Sequence, residues 1–289
     1  MAADADEARV RALLRAHPDG REIAAAPFRA IAGGALNRCW RVDTDVGPRF
    51  VRLASEAARG LGADWESEAA LLAVANRAGL APAPMLTVPA AGLLVSEFVP
   101  GRVLTRDEAR RPALLTAIGR LLRKLHDLAP SPGIRRLDFA TQARTLEAQL
   151  DAATYAGFAT QATAVFARLE AGQGAAVPCH NDVHAENIIE HDRRLLLVDW
   201  EYGGVGDAVY DLAGCVVHLA LDAAQRDLLL DAYDAEVPRV RMRDACWGYD
   251  YVQWLWYRVA ANRSGERGEG ALTEAAVTAQ RLERSRGCA

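Results

Sequence analysis

The chain is predicted to be an α+β protein in which a small antiparallel-sheet lobe precedes a larger, mostly helical lobe. Three observations predict it. Between Phe28 and Phe98, short β-rich runs alternate with turn residues and are interrupted by one helical pattern. Beyond Thr105, apolar residues recur at helical spacing almost to the C-terminus. At 289 residues, two lobes fit better than a single core. The junction falls near Pro100–Thr105, which gives residues 1–100 as the N-terminal lobe and 101–289 as the C-terminal lobe.

Glu7–Ala16 reads as a short amphipathic helix ended by His17-Pro18-Asp19-Gly20. Phe28–Ile31 is an apolar run leading into Gly33-Gly34-Ala35-Leu36-Asn37. Cys39–Val42 and Phe50–Leu53 flank the turn-rich Asp43–Pro48, as in a hairpin. Asp64–Ala78 is helical, with Ala69, Leu71, Leu72 and Ala75 on one face and Gly79, Pro82 and Pro84 ending it. Strands follow at Met85–Val88 and Leu93–Phe98 before Pro100-Gly101. Asp107–Leu128 carries a helical stripe through Leu114, Leu115, Ile118, Leu121, Leu122 and Leu125. Helices are expected at Thr141–Ala152 and Thr160–Ala171. They resume at Leu212–Ala220, Ala223–Tyr233, Arg243–Ala261 and Leu272–Arg284. Between the two groups lies Val177–Asp211, rich in His, Asn, Asp and Gly around two strand-like pieces, Ile188–Glu190 and Leu195–Val198.

The 34 basic residues are outnumbered by 38 acidic ones, for a net charge of −4, which excludes a general nucleic-acid binder. Lys124 is the only lysine, so almost any chemistry that needs an amine must use it or do without. Cys39, Cys179, Cys215, Cys246 and Cys288 are odd in number and form no CxxC pair, which argues against a disulfide framework or zinc site. The acidic N-terminus is not followed by the apolar core of a secretory signal. The longest apolar runs are far short of a bilayer span. A cytoplasmic protein is expected, its oligomeric state open.

The chemistry sits in Cys179-His180-Asn181-Asp182-Val183-His184-Ala185-Glu186-Asn187, of the form H-x-D-x-x-x-x-N, with Asp199 following the apolar run Leu195–Val198. A carboxylate at the end of a buried strand is costly without a partner or metal. Phosphoryl transfer needs this set: one carboxylate to orient and deprotonate an attacking hydroxyl, and further oxygens to hold Mg²⁺ on nucleotide phosphates. Asp182 fits the first role, Asn187 and Asp199 the second. Taken singly, Asn187 reads as a turn residue and Asp199 as a cap. His180 reads as a hydrogen-bonded loop anchor. A competing reading makes His180, Asp182 and His184 transition-metal ligands, but it leaves Asn187 and Asp199 unexplained.

The run His180–Asn187, with Leu197-Val198-Asp199-Trp200-Glu201-Tyr202-Gly203-Gly204 and Asp211-Leu212-Ala213, resembles the choline/ethanolamine kinase and aminoglycoside phosphotransferase superfamily. The Asp-Trp-Glu-Tyr form is most similar to its choline, ethanolamine and thiamine kinase-like bacterial branch. Upstream, Ala32–Asn37 resembles the branch's glycine-containing nucleotide loop, and Phe50-Val51-Arg52-Leu53 the strand whose cation meets phosphates. Asp64–Glu68 resembles the start of the helix carrying the ion-pairing Glu, Val95–Gly101 the interlobe hinge, and Leu121–His126 a Leu-x-x-Leu-His helix.

The resemblance implies a bilobal protein-kinase-like fold, ATP, Mg²⁺ and a small hydroxyl-bearing acceptor. It places Gly33, Gly34, Asn37, Arg52, Glu68, Glu97 and Val99 around the nucleotide, with Arg52 where this branch often carries arginine. His180 and Asp211 become supports of the catalytic loop. For a cationic acceptor, aromatic faces and nearby carboxylates are the required recognition, and Glu201, Tyr202, Trp247 and Trp256 are the candidates. Two departures stand out. Gln253 lies three residues before Trp256, where choline kinases place a second tryptophan, and His218 lies where eukaryotic choline kinases carry a Glu. The expected activity is transfer of the γ-phosphoryl group of ATP to a choline-, ethanolamine- or thiamine-like amino alcohol. The alternatives are an aminoglycoside phosphotransferase, which would use an acidic surface such as Asp207, Asp222, Asp227, Asp231, Asp234 and Glu236, or a non-catalytic nucleotide-binding homologue.

Overall fold

The computed structural model describes residues 2–31, 37–234, 236–264 and 268–285, so Gly33 and Gly34 lie outside the described residues. Two helices, α1 (Ala2–Arg15) and α2 (Arg21–Ala25), precede a five-stranded antiparallel sheet. Its strands are β1 (Phe28–Ile31), β2 (Arg38–Thr44), β3 (Gly47–Leu53), β4 (Pro84–Val88) and β5 (Leu93–Glu97), in the order β1-β2-β3-β5-β4. The period-2 alternation of strands assigns the two faces. Trp40, Val42, Val51, Leu53, Leu93 and Val95 pack under Val10 and Leu14 of α1 and Ile23 of α2. Arg52, between Val51 and Leu53, faces the other way, towards α4 (Trp65–Arg77). Asp64 caps α4 by accepting from the Ser67 N–H at 2.9 Å. The same helix buries Leu71, Leu72 and Ala75 in the core of the helical lobe, so α4 joins the two lobes. Ahead of it lies a short helix, α3 (Glu56–Gly60).

The helical lobe opens with β6 (Arg102–Val103) and α5 (Arg106–Ala109) and continues with α6 (Pro112–His126). The expected single helix over Asp107–Leu128 is therefore two. Pro112 occupies the first turn of α6, where its missing N–H costs nothing, and Arg111 ahead of it is extended. α7 (Phe139–Glu147) and α8 (Ala152–Ala171) follow. α8 starts eight residues before the predicted Thr160, because its leading Ala-Ala-Thr-Tyr-Ala-Gly carries no clear stripe. After β7 (Val177–Cys179) come β8 (Ile188–His191), β9 (Arg194–Leu197) and β10 (Gly204–Gly206). β7 pairs with β10, and β6, β8 and β9 form a second small sheet.

The last four helices are α9 (Val209–His218), α10 (Ala223–Tyr233), α11 (Arg239–Ser264) and α12 (Gly268–Ser285). α11 packs against α7, α8, α9 and α12. Among the described residues, no helix is long and apolar enough to cross a membrane.

Candidate active site

The loop after β7 is held from below. Asp211, fully buried in the first turn of α9, accepts hydrogen bonds from the backbone N–H groups of His180 at 2.8 Å and Asn181 at 2.6 Å. It also meets His126 Nε2 at 2.9 Å, and Tyr233 O–H lies 2.8 Å from His126 Nδ1. His180 turns its Nε2 to the Val198 carbonyl at 2.9 Å, and burial pushes its pKa down. Asn181 takes a left-handed φ of 65°, which Asn tolerates better than most residues. This delivers the next residue, Asp182, to the cleft. Asn187 Nδ2 donates to the Asp182 carbonyl at 3.0 Å and to its Oδ2 at 3.1 Å. His184 Nε2 lies 3.5 Å from the same carboxylate. Burial alone would raise the pKa of Asp182, but His184, through its charge and its hydrogen bond, outweighs it, with His218 and His180 adding less, and the carboxyl is held down at about 2.

The β8–β9 hairpin explains the interval between Asn187 and Asp199. Its two turn residues, Asp192 and Arg193, both take positive φ (48° and 61°), as a tight two-residue hairpin turn requires. The antiparallel register pairs Ile188 with Leu197, and Val198 N–H donates to the Asn187 carbonyl at 3.0 Å. Asn187, just before one strand, and Asp199, just after the other, therefore emerge side by side. Asn187 uses its amide nitrogen on Asp182, which leaves its amide oxygen unpartnered among the described residues. Asp199 is partly exposed at a φ of 64°. An amide oxygen and a carboxylate are hard donors of the kind Mg²⁺ takes alongside phosphate oxygens, so the residues present fit that ion.

Across the cleft, Arg52 is almost wholly buried and makes a two-pronged contact with Glu68, Nη1 to Oε1 at 2.7 Å and Nη2 to Oε2 at 2.5 Å. Its Nη1 also reaches Asp199 Oδ1 at 3.1 Å and lies 3.7 Å from Glu201 Oε2. Burial opposes the guanidinium charge, but Glu68, Glu201 and Asp199 more than offset it, so the pKa of Arg52 is raised. Arg52 Nε is a buried donor with no partner among the described residues. Burial and the neighbouring Asp199 push Glu201 up to about 8, and its Oε2 accepts from Asn37 Nδ2 at 3.1 Å.

A cleft of about 1160 Å³ lies beside these residues, and Arg52 and Glu68 are buried behind its wall rather than in its lining. It brings together Asn37, Asp182, Asn187, Asp199, Glu201, Tyr202 and Trp256, with Trp256 Nε1 donating to the Tyr202 hydroxyl at 3.2 Å. Glu97, exposed at the end of β5, and Val99 in the connection beyond it are not among the lining residues. Trp247 is not brought to the cleft. It is buried in the helical core, stacked on Tyr251 at 5.4 Å and 12°, beside a separate cavity of about 240 Å³. The acidic residues weighed for an aminoglycoside do not line the cleft either: Asp207 pairs with Arg241, Asp222 caps α10 and Asp227 pairs with Arg226.

His180, Asp182 and His184 do not form a metal cage, since His180 is turned to Val198. Among the described residues, three potential ligands cluster only at His126, Cys179 and Asp211. There Asp211 already accepts two backbone N–H groups, and both ring nitrogens of His126 are engaged.

Sequence reasoning missed Arg135, which carries no motif. It lines the cleft and donates to three backbone carbonyls, those of Gly62 at 2.6 Å, Tyr202 at 2.9 Å and Gly203 at 3.1 Å. It thereby ties the loop before α4 to the segment after Asp199. Tyr233, at the end of α10, was missed for the same reason: only the folded chain shows it holding His126.

Comparison with known proteins gives the family and the fold. Residues 27–243 match the model of the phosphotransferase enzyme family. The protein LicA of Haemophilus influenzae is 31% identical over 107 residues, which cover 33% of this chain and 39% of that protein. A thiamine kinase of Salmonella heidelberg is 45% identical over 58 residues, 20% of each chain. The alignments thus span well under half the length of these curated relatives. A crystal structure of a choline/ethanolamine kinase family protein from Mesorhizobium loti has the same fold, with a TM-score of 0.77 at 24% identity, covering 98% of this chain and 94% of that one. The chain belongs to the phosphotransferase enzyme family.

Proposed function

We propose that this family member transfers the γ-phosphoryl group of ATP to the hydroxyl of a small, cationic amino alcohol of the choline, ethanolamine or thiamine kind. The observation that carries the reading is the convergence of Asp182, Asn187 and Asp199 on one cleft, facing a buried Arg52 already seated on Glu68. In that reading Asp182 orients the acceptor hydroxyl in line with the γ-phosphorus. The new P–O bond forms as the bond to the β–γ bridging oxygen breaks, ADP departs, and the hydroxyl proton passes to Asp182. A carboxylate held at about 2 is a weak base. Its first task is therefore positioning, and it takes the proton late, once bonding to phosphorus has acidified the hydroxyl.

Asn187 and Asp199 hold Mg²⁺, which when bound neutralises charge on the phosphate oxygens. Arg52, kept in place by Glu68, reaches the phosphates from the sheet side, with Asn37 and the residues around Gly33 and Gly34 completing the nucleotide site and Glu97 and Val99 its hinge. Asp211 and His180 support the loop. Tyr202 and Trp256 present aromatic faces to the cationic end of the acceptor, and Glu201 stands close by.

The amino-alcohol class is supported by the choline/ethanolamine and thiamine kinases among the relatives, and by the absence of the chain's acidic helix residues from the cleft lining. The unpaired cysteines among the described residues fit a reducing cytoplasm. An ATP-consumption screen over choline, ethanolamine, thiamine, sugars and aminoglycosides tests the reading. Consumption stimulated by an amino alcohol is the expected result. Stimulation by aminoglycosides alone, or by no acceptor despite intact ATP binding, would replace it.

A further inference from the structure

Beyond Asp182 the cleft meets a cluster of polar groups on α9 and α11, with Arg106 also in its lining. His218, the last residue of α9, lines the cleft with its ring centroid 5.3 Å from that of His184, the imidazole beside Asp182. Behind it, on α11, stand Tyr249 and Gln253. Gln253 Nε2 donates to the Tyr249 oxygen at 3.2 Å, and the Tyr249 hydroxyl lies 3.0 Å from His218 Nε2. The Gln253 amide nitrogen is also 3.4 Å from that same His218 nitrogen. Both neighbours bring hydrogens, and a neutral imidazole has one accepting nitrogen. Nε2 of His218 is therefore the acceptor and Nδ1 carries the proton. Burial drives the imidazole pKa down to about 4 and pushes that of Tyr249 well up, so both stay neutral. Among the described residues nothing accepts from His218 Nδ1.

Other polar side chains, Arg106, Glu186 and Tyr257 among them, also line the cleft. Trp256 spends its one N–H on the Tyr202 oxygen and offers only its face, while the Tyr202 hydroxyl keeps its own hydrogen to donate. Asp199 Oδ1 accepts from Arg52 and Glu201 Oε2 from Asn37.

We propose that His218 is a specificity-determining residue, a donor locked in one tautomer by Gln253 and Tyr249 that reads a second oxygen on the acceptor. The preferred acceptor is then an amino alcohol bearing a further hydroxyl beside the one phosphorylated, rather than a simple monohydroxy amine. This deepens the amino-alcohol reading and rests on it. A site built to hydrogen-bond a substrate group rejects the analogue lacking it, because its own polar atoms are then left unpaired.

Matched acceptors test it: ethanolamine against 2-amino-1,3-propanediol, and choline against bis(2-hydroxyethyl)dimethylammonium, with kcat/KM read from ADP release. The wild type is expected to favour the dihydroxy member of each pair by about tenfold or more. His218→Leu should bring that ratio down to the statistical advantage of two equivalent hydroxyls, while His218→Asn, which keeps a neutral donor, should restore part of it. Gln253→Leu, which frees the tautomer, should lower the ratio several-fold and decides the matter if His218→Leu fails to fold. A wild-type ratio at the statistical value, or a full ratio surviving in both His218→Leu and Gln253→Leu, overturns the assignment. Transfer to none of the four amines would instead overturn the amino-alcohol reading beneath it.

Discussion

Behind the end of the cleft proposed to take the phosphates, a buried Arg52 is surrounded by Glu68, Asp199 and Glu201 within 2.5 to 3.7 Å. At the acceptor end, the contacts among His218, Tyr249, Gln253, Trp256 and Tyr202 join neutral groups 3.0 to 3.4 Å apart. The first arrangement suits a ligand whose charge is always the same. Every member of a nucleotide-using family must hold the same polyphosphate, and opposed charges fixed in advance cost no reorganisation when it arrives. The second suits a ligand recognised by shape and by one or two hydrogen bonds, which a few substitutions can change. Asp182 sits between them, tied to Asn187 on one side and to His184 on the other.

The sharpest way to break this comparison is at its midpoint. Asp182→Ala is expected to lower transfer by roughly 10²- to 10⁴-fold, the usual worth of a positioned acid–base group. Calorimetry should still show ATP binding, since Arg52 and Asp199 are untouched. Loss of nucleotide binding together with turnover would place Asp182 in the phosphate site instead.

Arg52→Ala comes next. It leaves Glu68 buried and unpaired, at a cost of about 3–5 kcal/mol in urea denaturation, along with a sharply raised ATP requirement. Arg52→Lys should fall between the two, because one ammonium cannot match both carboxylate oxygens as the planar fork does. Equal stability of wild type and Arg52→Ala would show that the phosphate end is not the rigid side.

Asp211→Asn weakens hydrogen bonds to the His180 and Asn181 N–H groups and to His126. A loss of about 1.5–3 kcal/mol is expected, with a lower kcat and a nearly unchanged KM for ATP. The smallest effect concerns pH. His218, ordinarily near 6.5, is depressed to about 4 in the folded chain. The unfolded chain therefore binds more protons between those values, and stability rises with pH across the window. Replacing His218 by Asn should flatten that rise in denaturant melts at pH 4.5, 5.5 and 6.5. An unchanged slope would mean that other groups, such as the buried His180, carry it.

The same contrast governs what could be read from the chain alone. Asp182, Asn187 and Asp199 are joined by one loop and one two-residue-turn hairpin, so their spacing in sequence is their spacing in space. The Arg52–Glu68 pair spans β3 and α4, and β alternation with an N-cap at Asp64 locates both. The acceptor end draws on His218 of α9 and Tyr249 of α11, 31 residues apart, and no local pattern links them.

Trp247 and Trp256 show the limit well. They lie on one helix, nine residues or about two and a half turns apart, and so point to opposite faces. One packs in the core with Tyr251, and the other meets Tyr202 in the cleft. Composition marked both as aromatic material for a cationic site, and only the helical phase separates them. β7 and β10, three residues each, are too short to show alternation and escaped prediction for that reason.

In the proposed reaction one carboxylate, Asp182, placed between a charged and a neutral half-site, directs a phosphoryl group from ATP to an amino alcohol. Phosphorus NMR of the wild type and of Asp182→Asn, each with Mg²⁺, ATP and the most active amino alcohol, tests it most directly. The expected product from the wild type is a phosphomonoester of the amino alcohol, equal in amount to the ADP formed, with almost none from Asp182→Asn. Inorganic phosphate in place of the monoester, or equal monoester from both proteins, would contradict it.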